Sequence, residues 1–318
     1  MSERSRDPFS HLPVVAHLNR IQGALREHRV AVLQAPPGSG KTSLVPPAVL
    51  ELDETGLVLV LQPRRVATRA VARMLAKRLK TSVGGGVGYQ VRFDTRRSDE
   101  TRLLVLTEGV LTAWLQRDPA LEGVSAVILD EFHERSLQAD LALAMLKEVR
   151  ETLRPELKVI VMSATLDAAP VAAYLGDAPV IECEVSNHPL TLSYSSVQDT
   201  RTLEVRVVEA IMDLYAEMQT GTTPSGHILV FLPGVRDIRD AKARLARLAP
   251  KLSAVELHGR LTGEQQDDVL RPSSEHRVIL STNIAQTSLT IEGVTGVVDS
   301  GLAKQSELDP QTGLTRLV

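Results

Sequence analysis

A short apolar run at 30–33 leads directly into APPGSGKT at 35–42, and that junction restricts the fold more tightly than any other stretch of the chain. An apolar strand that feeds a glycine-rich turn ending in Lys-Thr directs backbone N–H groups toward an anion. The match to G-x-x-x-x-G-K-[ST] is relaxed, because Ala35 stands where the first glycine belongs, whereas Gly38, Gly40, Lys41 and Thr42 fit. In such a loop Lys41 supplies positive charge to the β- and γ-phosphates and the Thr42 hydroxyl supplies a Mg²⁺ ligand. The helix that follows adds its N-terminus as a further anion site. Taken alone, the stretch also reads as a glycine-proline turn between a strand and a helix.

The rest of the chain supplies the context. Leu12, Val15, Leu18, Ile21 and Leu25 recur at helical spacing, so an amphipathic helix is expected over 12–28. Beyond the loop, helical periods over 41–52, 64–80, 110–116 and 137–149 alternate with apolar strand-like runs at 57–61, 87–93, 103–106, 126–129 and 159–162. The stretch 176–189 is richer in turn residues, which sets an expected boundary between domains 1–183 and 184–318. A second alternation then begins. Helices are expected at 202–218, 235–248 and 262–270, with strands at 227–232, 254–257, 278–281 and 294–299. Strands and helices in this order predict an α/β protein with two doubly wound parallel sheets. The chemistry-bearing residues fall just past the carboxyl ends of strands, where such sheets bind ligands.

Composition narrows the functional classes. The 318 residues carry a formal net charge of −3, so no global field draws the chain to a polyanion, and a nucleic-acid site has to be a local basic patch. Arg65, Arg69, Arg73 and Lys77 share one face of the 64–80 helix; taken alone the face reads as a solvated stripe before it reads as such a patch. Aromatic residues make up 3%, too few for a stacking surface for single strands. One cysteine, Cys183, excludes an intrachain disulfide and a thiolate zinc cluster and suits a reducing compartment. No apolar run approaches the roughly 18 residues of a membrane helix, and the N-terminus lacks a signal-peptide core. A soluble, cytoplasmic protein is expected.

Asp130-Glu131 ends an apolar strand downstream of the glycine-rich loop. An Asp there can hold Mg²⁺ through its water shell, and an adjacent Glu can take a proton from an attacking water. An Asp-Glu pair also serves commonly as a helix cap and first-turn acid; the loop upstream favours the catalytic reading. His133 lacks the HExxH spacing of a zinc site and reads better as an orienting contact.

Eight segments in order complete the pattern: APPGSGKT (35–42), QPRR (62–65), TEG (107–109), DEFHER (130–135), SAT (163–165), FLPG (231–234), LHGRL (257–261) and STNIAQTSLTIEG (281–293). The series resembles the DEAH-box family of superfamily 2 RNA helicases over nearly the whole chain. Phe132, where the family usually has Ala, resembles the bacterial HrpB-type branch. The resemblance implies two RecA-like domains and an ATP-dependent RNA helicase that translocates 3′ to 5′, with ATP and Mg²⁺ as cofactors. Pro37, Gly38, Ser39, Gly40, Lys41, Thr42 and Ser43 would cradle the phosphates, with Thr42 and Asp130 serving Mg²⁺ and Glu131 as general base. Ser163 and Thr165, helped by His133, would couple hydrolysis to domain movement. Arg73 would stack on adenine, Glu292 would lie near the ribose, and Gln286 and Thr287 would face both γ-phosphate and nucleic acid. Arg64, Arg65, Thr107, Gly259, Arg260, Thr282 and Asn283 would grip the backbone of single-stranded RNA without reading bases.

Two departures bear on the site. Leu302 follows Gly301 where relatives carry an aromatic that sandwiches the base. The family's arginine-rich QRxGRxGR segment is not present by Val318, so the second domain reads as unfinished and further C-terminal domains are expected in a full protein. With that segment absent, a nucleotide-dependent RNA clamp that does not unwind is the alternative function, and a DNA-directed translocase is another.

Overall fold

The computed structural model describes residues 9, 11–164, 168–184, 190–195, 199–285, 291–304, 306–308, 312 and 315–317. The chain divides into two compact units, Met1–Pro189 and Leu190–Val318.

In the first unit a 3-10 turn, Pro13–His17, leads into α1 (Leu18–Glu27), β1 (Val30–Gln34) and α2 (Lys41–Leu50). Then come β2 (Leu57–Gln62), α3 (Arg65–Arg78), β3 (Val87–Val91), β4 (Asp94–Arg96), β5 (Leu103–Thr107), α4 (Glu108–Arg117) and β6 (Val124–Leu129). The unit closes with α5 (Leu137–Thr152), β7 (Lys158–Ser163), α6 (Ala168–Tyr174) and β8 (Val180–Glu182). Eight strands form one sheet in the order β4-β3-β5-β2-β6-β7-β1-β8, parallel throughout except for the β3–β4 hairpin. The central strands β2 and β6 are buried along nearly their whole length and are apolar except for Gln62 and Ser125, as strands covered on both faces tend to be. Alternate residues serve opposite faces. Ala31 and Leu33 pack with Ile21, Leu25, Val45 and Leu75 of α1–α3, whereas Val30 and Val32 pack with Leu146 and Val171 of α5 and α6. Each fully buried Leu, Ile or Val contributes about 1.5–3 kcal/mol relative to exposure.

Three details depart from the expected elements. The 12–28 period splits into the 3-10 turn and α1, with Pro13 in the first turn, where its missing N–H costs nothing. The 87–93 strand ends at Val91, and the chain reverses through Arg92 and Phe93 into β4. Phe93 sits at φ +69°, and the Tyr89 hydroxyl reaches both Asp94 oxygens at 3.1 and 3.0 Å, which fixes the hairpin. Within the turn-rich 176–189 stretch, β8 adds to the sheet edge, pairing Val32, Leu33 and Gln34 with Val180, Ile181 and Glu182. A three-residue strand is too short to announce itself by period, and the alanines of α6 leave no apolar stripe to read.

Arginines clamp the amino ends of these strands. Arg102 donates to the carbonyls of Asp53, Glu54 and Gly56 before β2. Arg154 donates to Ala120 O, Leu121 O and Val124 O at 2.9, 3.0 and 3.1 Å around the start of β6. Arg150 joins Leu157 O to His28 O at 3.2 and 3.3 Å.

The second unit repeats the style on a smaller scale. Its elements are α7 (Leu203–Thr220), β9 (His227–Phe231), α8 (Val235–Leu248), β10 (Ser253–Leu257), α9 (Gly263–Leu270), β11 (Arg277–Ser281) and β12 (Val294–Asp299). A small antiparallel pair, β13 (Ser306–Leu308) and β14 (Thr315–Leu317), follows. The four main strands are parallel in the order β10-β11-β9-β12. Helix α7 ends on Gly221 at φ +77°, and α9 begins with a capping box between Thr262 and Gln265.

Candidate functional site

The carboxyl ends of β1, β6 and β7 are neighbours in the first sheet, so the residues that follow them meet. After β1, Ala35 is fully buried, donates its N–H to Ser163 O at 2.9 Å and does not take a positive φ. A Cβ is therefore accommodated there, which explains why the first glycine of the motif is dispensable. Gly38 and Gly40 differ, at φ +77° and +91°. A Cβ on Gly40 would stand 2.8 Å from Leu12 Cδ1. The N-terminal 3-10 turn supports the loop, with Val14 N donating to Ser39 O at 3.0 Å.

Lys41 opens α2 and is only 5% exposed. Its Nζ lies 3.2 Å from Glu131 Oε1. The neighbouring Thr42 hydroxyl donates to Asp130 Oδ2 at 2.7 Å, and Gln62 Nε2 donates to the same oxygen at 2.7 Å. The other oxygen, Oδ1, accepts from Glu131 N at 2.9 Å, so the buried Asp130 is held on both sides. Glu131 itself takes a left-handed conformation, φ 54° and ψ 35°, that a non-glycine residue adopts only when its surroundings impose it. Burial, and then the adjacent Asp130 charge, raise its carboxyl to about 7, against the opposing pull of Lys41. His133 presents Nδ1 3.5 Å from Glu131 Oε2 and accepts from Ala164 N at 3.4 Å. Burial, followed by the charge of Lys41, lowers its pKa, which favours the neutral ring this contact requires.

Lys41, Thr42, Asp130, Glu131 and His133 thus form one connected cluster, and Ser163 is buried beside it as the register partner of Gln34. Ser43 Oγ donates to Gly40 O at 3.1 Å, while Pro37 and Gly38 are exposed at the loop's tip. Arg73 is half-buried on α3, one turn beyond Arg69. Glu292 is exposed just before β12. Thr165, Gln286 and Thr287 lie outside the described residues.

The expected nucleic-acid contacts fall on strand ends in each unit. In the first, Arg64 and Arg65 follow β2 and Thr107 closes β5, with the two strands paired up to Gln62 and Thr107. Arg65 is exposed, and Arg64 Nε donates to Glu134 Oε2 at 3.3 Å. In the second, the exposed Gly259 and Arg260 follow β10, and Thr282 and Asn283 follow the adjacent β11. Gln266 Nε2 holds the loop before α9 through His258 O at 3.1 Å and Leu261 O at 3.3 Å.

Two functional side chains escaped the sequence reading. Gln62 was visible as the one polar residue closing an otherwise apolar strand, and Glu134 sits inside DEFHER. Their partners, Asp130 and Arg64, are 68 and 70 positions away and cannot be inferred from spacing.

Among the described residues, no group of three or more His, Cys, Asp or Glu could hold a metal, and Cys183 is a buried free thiol. No described helix is long and apolar enough to cross a membrane. The oxygen pair of Thr42 and Asp130 suits a hard cation that takes its remaining ligands from phosphate and water. Ser39 Oγ, fully buried with no hydrogen-bond partner among the described residues, adds an unspent polar atom beside the glycines. The residues present therefore fit Mg²⁺ and a phosphate chain.

The geometry defines a phosphate-loop α/β protein. Comparison with known families matches residues 18–173 to the DEAD/DEAH box helicase model and residues 207–312 to the helicase conserved C-terminal domain, and the chain belongs to the DEAD/DEAH box helicases. It is 42% identical over 314 residues to the ATP-dependent RNA helicase HrpB of Escherichia coli, covering 98% of this chain and 38% of that protein. To HrpA of the same organism it is 37% identical over 311 residues, covering 96% of this chain and 24% of the relative. The crystal structure of E. coli DEAH/RHA helicase HrpB superposes with a TM-score of 0.86 over 96% of this chain and 39% of that one. Both units are thereby RecA-like. The chain spans less than two fifths of the length of either curated relative.

Proposed function

We propose that this chain is the motor core of an ATP-dependent RNA helicase of HrpB type. The observation that carries the reading is the buried cluster in which Lys41 meets Glu131 while Thr42 and Gln62 meet Asp130. The Lys41 ammonium, the Gly38–Gly40 backbone and Ser39 Oγ would bind the β- and γ-phosphates of ATP. Thr42 and Asp130 would hold Mg²⁺, which supplies charge neutralisation to the phosphates when bound. A phosphate arriving at Lys41 competes with Glu131 for the ammonium and so frees the carboxylate. Glu131 then accepts a proton from the attacking water, and its raised pKa suits a base working near neutral pH. His133, by accepting from Ala164 N, ties the turn that follows Glu131 to the end of β7.

Arg64, Arg65 and Thr107 in one unit, and Gly259, Arg260, Thr282 and Asn283 in the other, would grip the phosphates of a single RNA strand. Backbone contacts fix the position of a strand without reading its sequence. Relative motion of two such grips, biased by ATP binding, would move the strand stepwise in the 3′-to-5′ direction of the family, in the cytoplasm.

Glu131→Gln tests the assignment. It is expected to leave binding of a fluorescent ATP analogue within about twofold while lowering RNA-stimulated phosphate release by roughly 10²–10⁴-fold, the range for loss of a general base. Turnover equal to that of the unsubstituted protein overturns the role of Glu131. Single-stranded DNA of the same length, tested in parallel, separates an RNA motor from a DNA translocase.

A further inference from the structure

Glu134 shares a single 3-10 turn, Phe132–Glu134, with the end of the catalytic cluster. Glu134 N donates to Glu131 O at 2.9 Å and Arg135 N to Phe132 O at 3.2 Å. Phe132, 3% exposed, pins the turn into the core beneath. Two side chains just beyond Glu131 find partners on other elements. The Glu134 side chain, 13% exposed, accepts from Arg64 Nε at 3.3 Å. Ser136 Oγ donates to Glu108 Oε2 at 2.5 Å and caps α5 by accepting from Ala139 N at 2.9 Å. Residues 131–136 are therefore tied to Lys41 at one end and to the QPRR and TEG segments at the other.

A turn so short and so anchored does not change length, so displacement of Glu131 carries Glu134 with it. A largely buried carboxylate is stable there because it has a cation to accept from. The cation gains as well: a guanidinium fixed through Nε holds its planar fork in one orientation, and less rotamer freedom is left to lose when a phosphate binds.

We infer that Glu134 is a positioning residue for nucleic acid, holding Arg64 toward a backbone phosphate and linking a strand bound there to Glu131 through the 131–134 turn. The inference rests on Arg64 meeting nucleic acid, as proposed above, and the test separates the two. The 318-residue chain is titrated into a labelled oligouridylate of about 12 nucleotides, within the usual span of single-strand sites, with and without a non-hydrolysable Mg·ATP analogue.

Glu134→Gln is expected to weaken RNA binding about three- to fivefold, the upper part of the range for a surface ion pair, and to leave affinity for the fluorescent nucleotide unchanged. Arg64→Ala should weaken RNA binding at least as much, and the double variant no further than Arg64→Ala alone. Glu134→Asp should recover part of the loss. If Arg64→Ala binds RNA like the unsubstituted chain, the reading of Arg64 fails and the inference with it. If Arg64→Ala weakens binding while Glu134→Gln does not, or if the two losses add, the inference alone fails. Arg64→Lys, which keeps the charge but removes Nε–H, covers the case in which Glu134→Gln lowers Tm. It too should bind RNA more weakly, and binding equal to the unsubstituted chain again overturns the inference.

Discussion

Between β1 and α2 the first unit runs through 35–40, with two glycines in the left-handed region, and its helix opens on the buried Lys41. Between β9 and α8 the second unit makes the equivalent strand-to-helix turn through Leu232, Pro233 and Gly234, and its helix opens on Val235. Gly234 lies at φ −163°, an extended conformation open to any residue, and a Cβ there would meet only the movable ends of Lys304 and Asp237. The strand ends differ in the same sense. The first unit buries Lys41, Asp130 and Gln62 together, while between β10 and β11 of the second Ser281 Oγ donates to Leu257 O at 3.1 Å. One architecture thus carries two chemistries: a buried charged cradle around a lysine in the first unit, and a short extended turn with no lysine at the matching place in the second.

The largest expected effect breaks the charged cradle. Lys41→Ala should lower ATP turnover by about 10²–10³-fold, the scale of losing one stabilising donor from a preorganised site, read by phosphate release. Gly234→Ala, at the corresponding turn of the second unit, should leave turnover unchanged.

An intermediate effect separates the glycines that matter from the one that is missing. Gly40→Ala forces a Cβ into φ +91° and against Leu12, and should cost about 1–3 kcal/mol in urea unfolding. Ala35→Gly restores the consensus motif but removes a buried methyl and loosens the backbone, so it should destabilise by about 1 kcal/mol. Stabilisation by Ala35→Gly would contradict the account of that position.

The smallest effect is a pH dependence of opposite sign in the two units. Folding raises the Glu131 carboxyl from 4.5 to about 7, so its contribution is fully present below 4.5 and is lost as pH rises through about 7. The Tm of Glu131→Gln relative to the unsubstituted chain should therefore climb between pH 4.5 and 7. Glu256 behaves in reverse: burial pushes its carboxyl up, but the Lys242 and His258 contacts outweigh burial and leave it below 4.5. Its contribution is present above 4.5 and lost as pH falls, so Glu256→Gln should lose ground in Tm as pH rises through that region. Thermal melts at pH 4 and pH 8, bracketing the ordinary carboxylate range, check both signs.

Much of this was legible in the sequence because it is local. Strand and helix periods are carried by neighbouring residues, and helix α8 and strand β12 fall on the residues their patterns indicate. The phosphate loop, Asp130 and Glu131 could be read because one short motif specifies each. What stayed hidden is long-range or too small to have a period. Gln62 and Arg64 gain their meaning only when β2 is laid beside β6. The β3–β4 reversal rests on a Tyr89–Asp94 contact across the hairpin, and β8 rests on β1 already being in place. The left-handed Glu131 had no signal at all, since no glycine marks it.

The arginines at the amino ends of the first sheet have a mechanical consequence. Arg102, Arg150 and Arg154 each bind two or more carbonyls at that edge, so it behaves as a beam built into a wall. The opposite edge is held by side chains that a nucleotide or a phosphate backbone can compete for. A lever fixed at one end delivers its travel at the other. A displacement begun at the phosphate loop would therefore be taken up at the free edge, with little deformation of the end that the arginines hold.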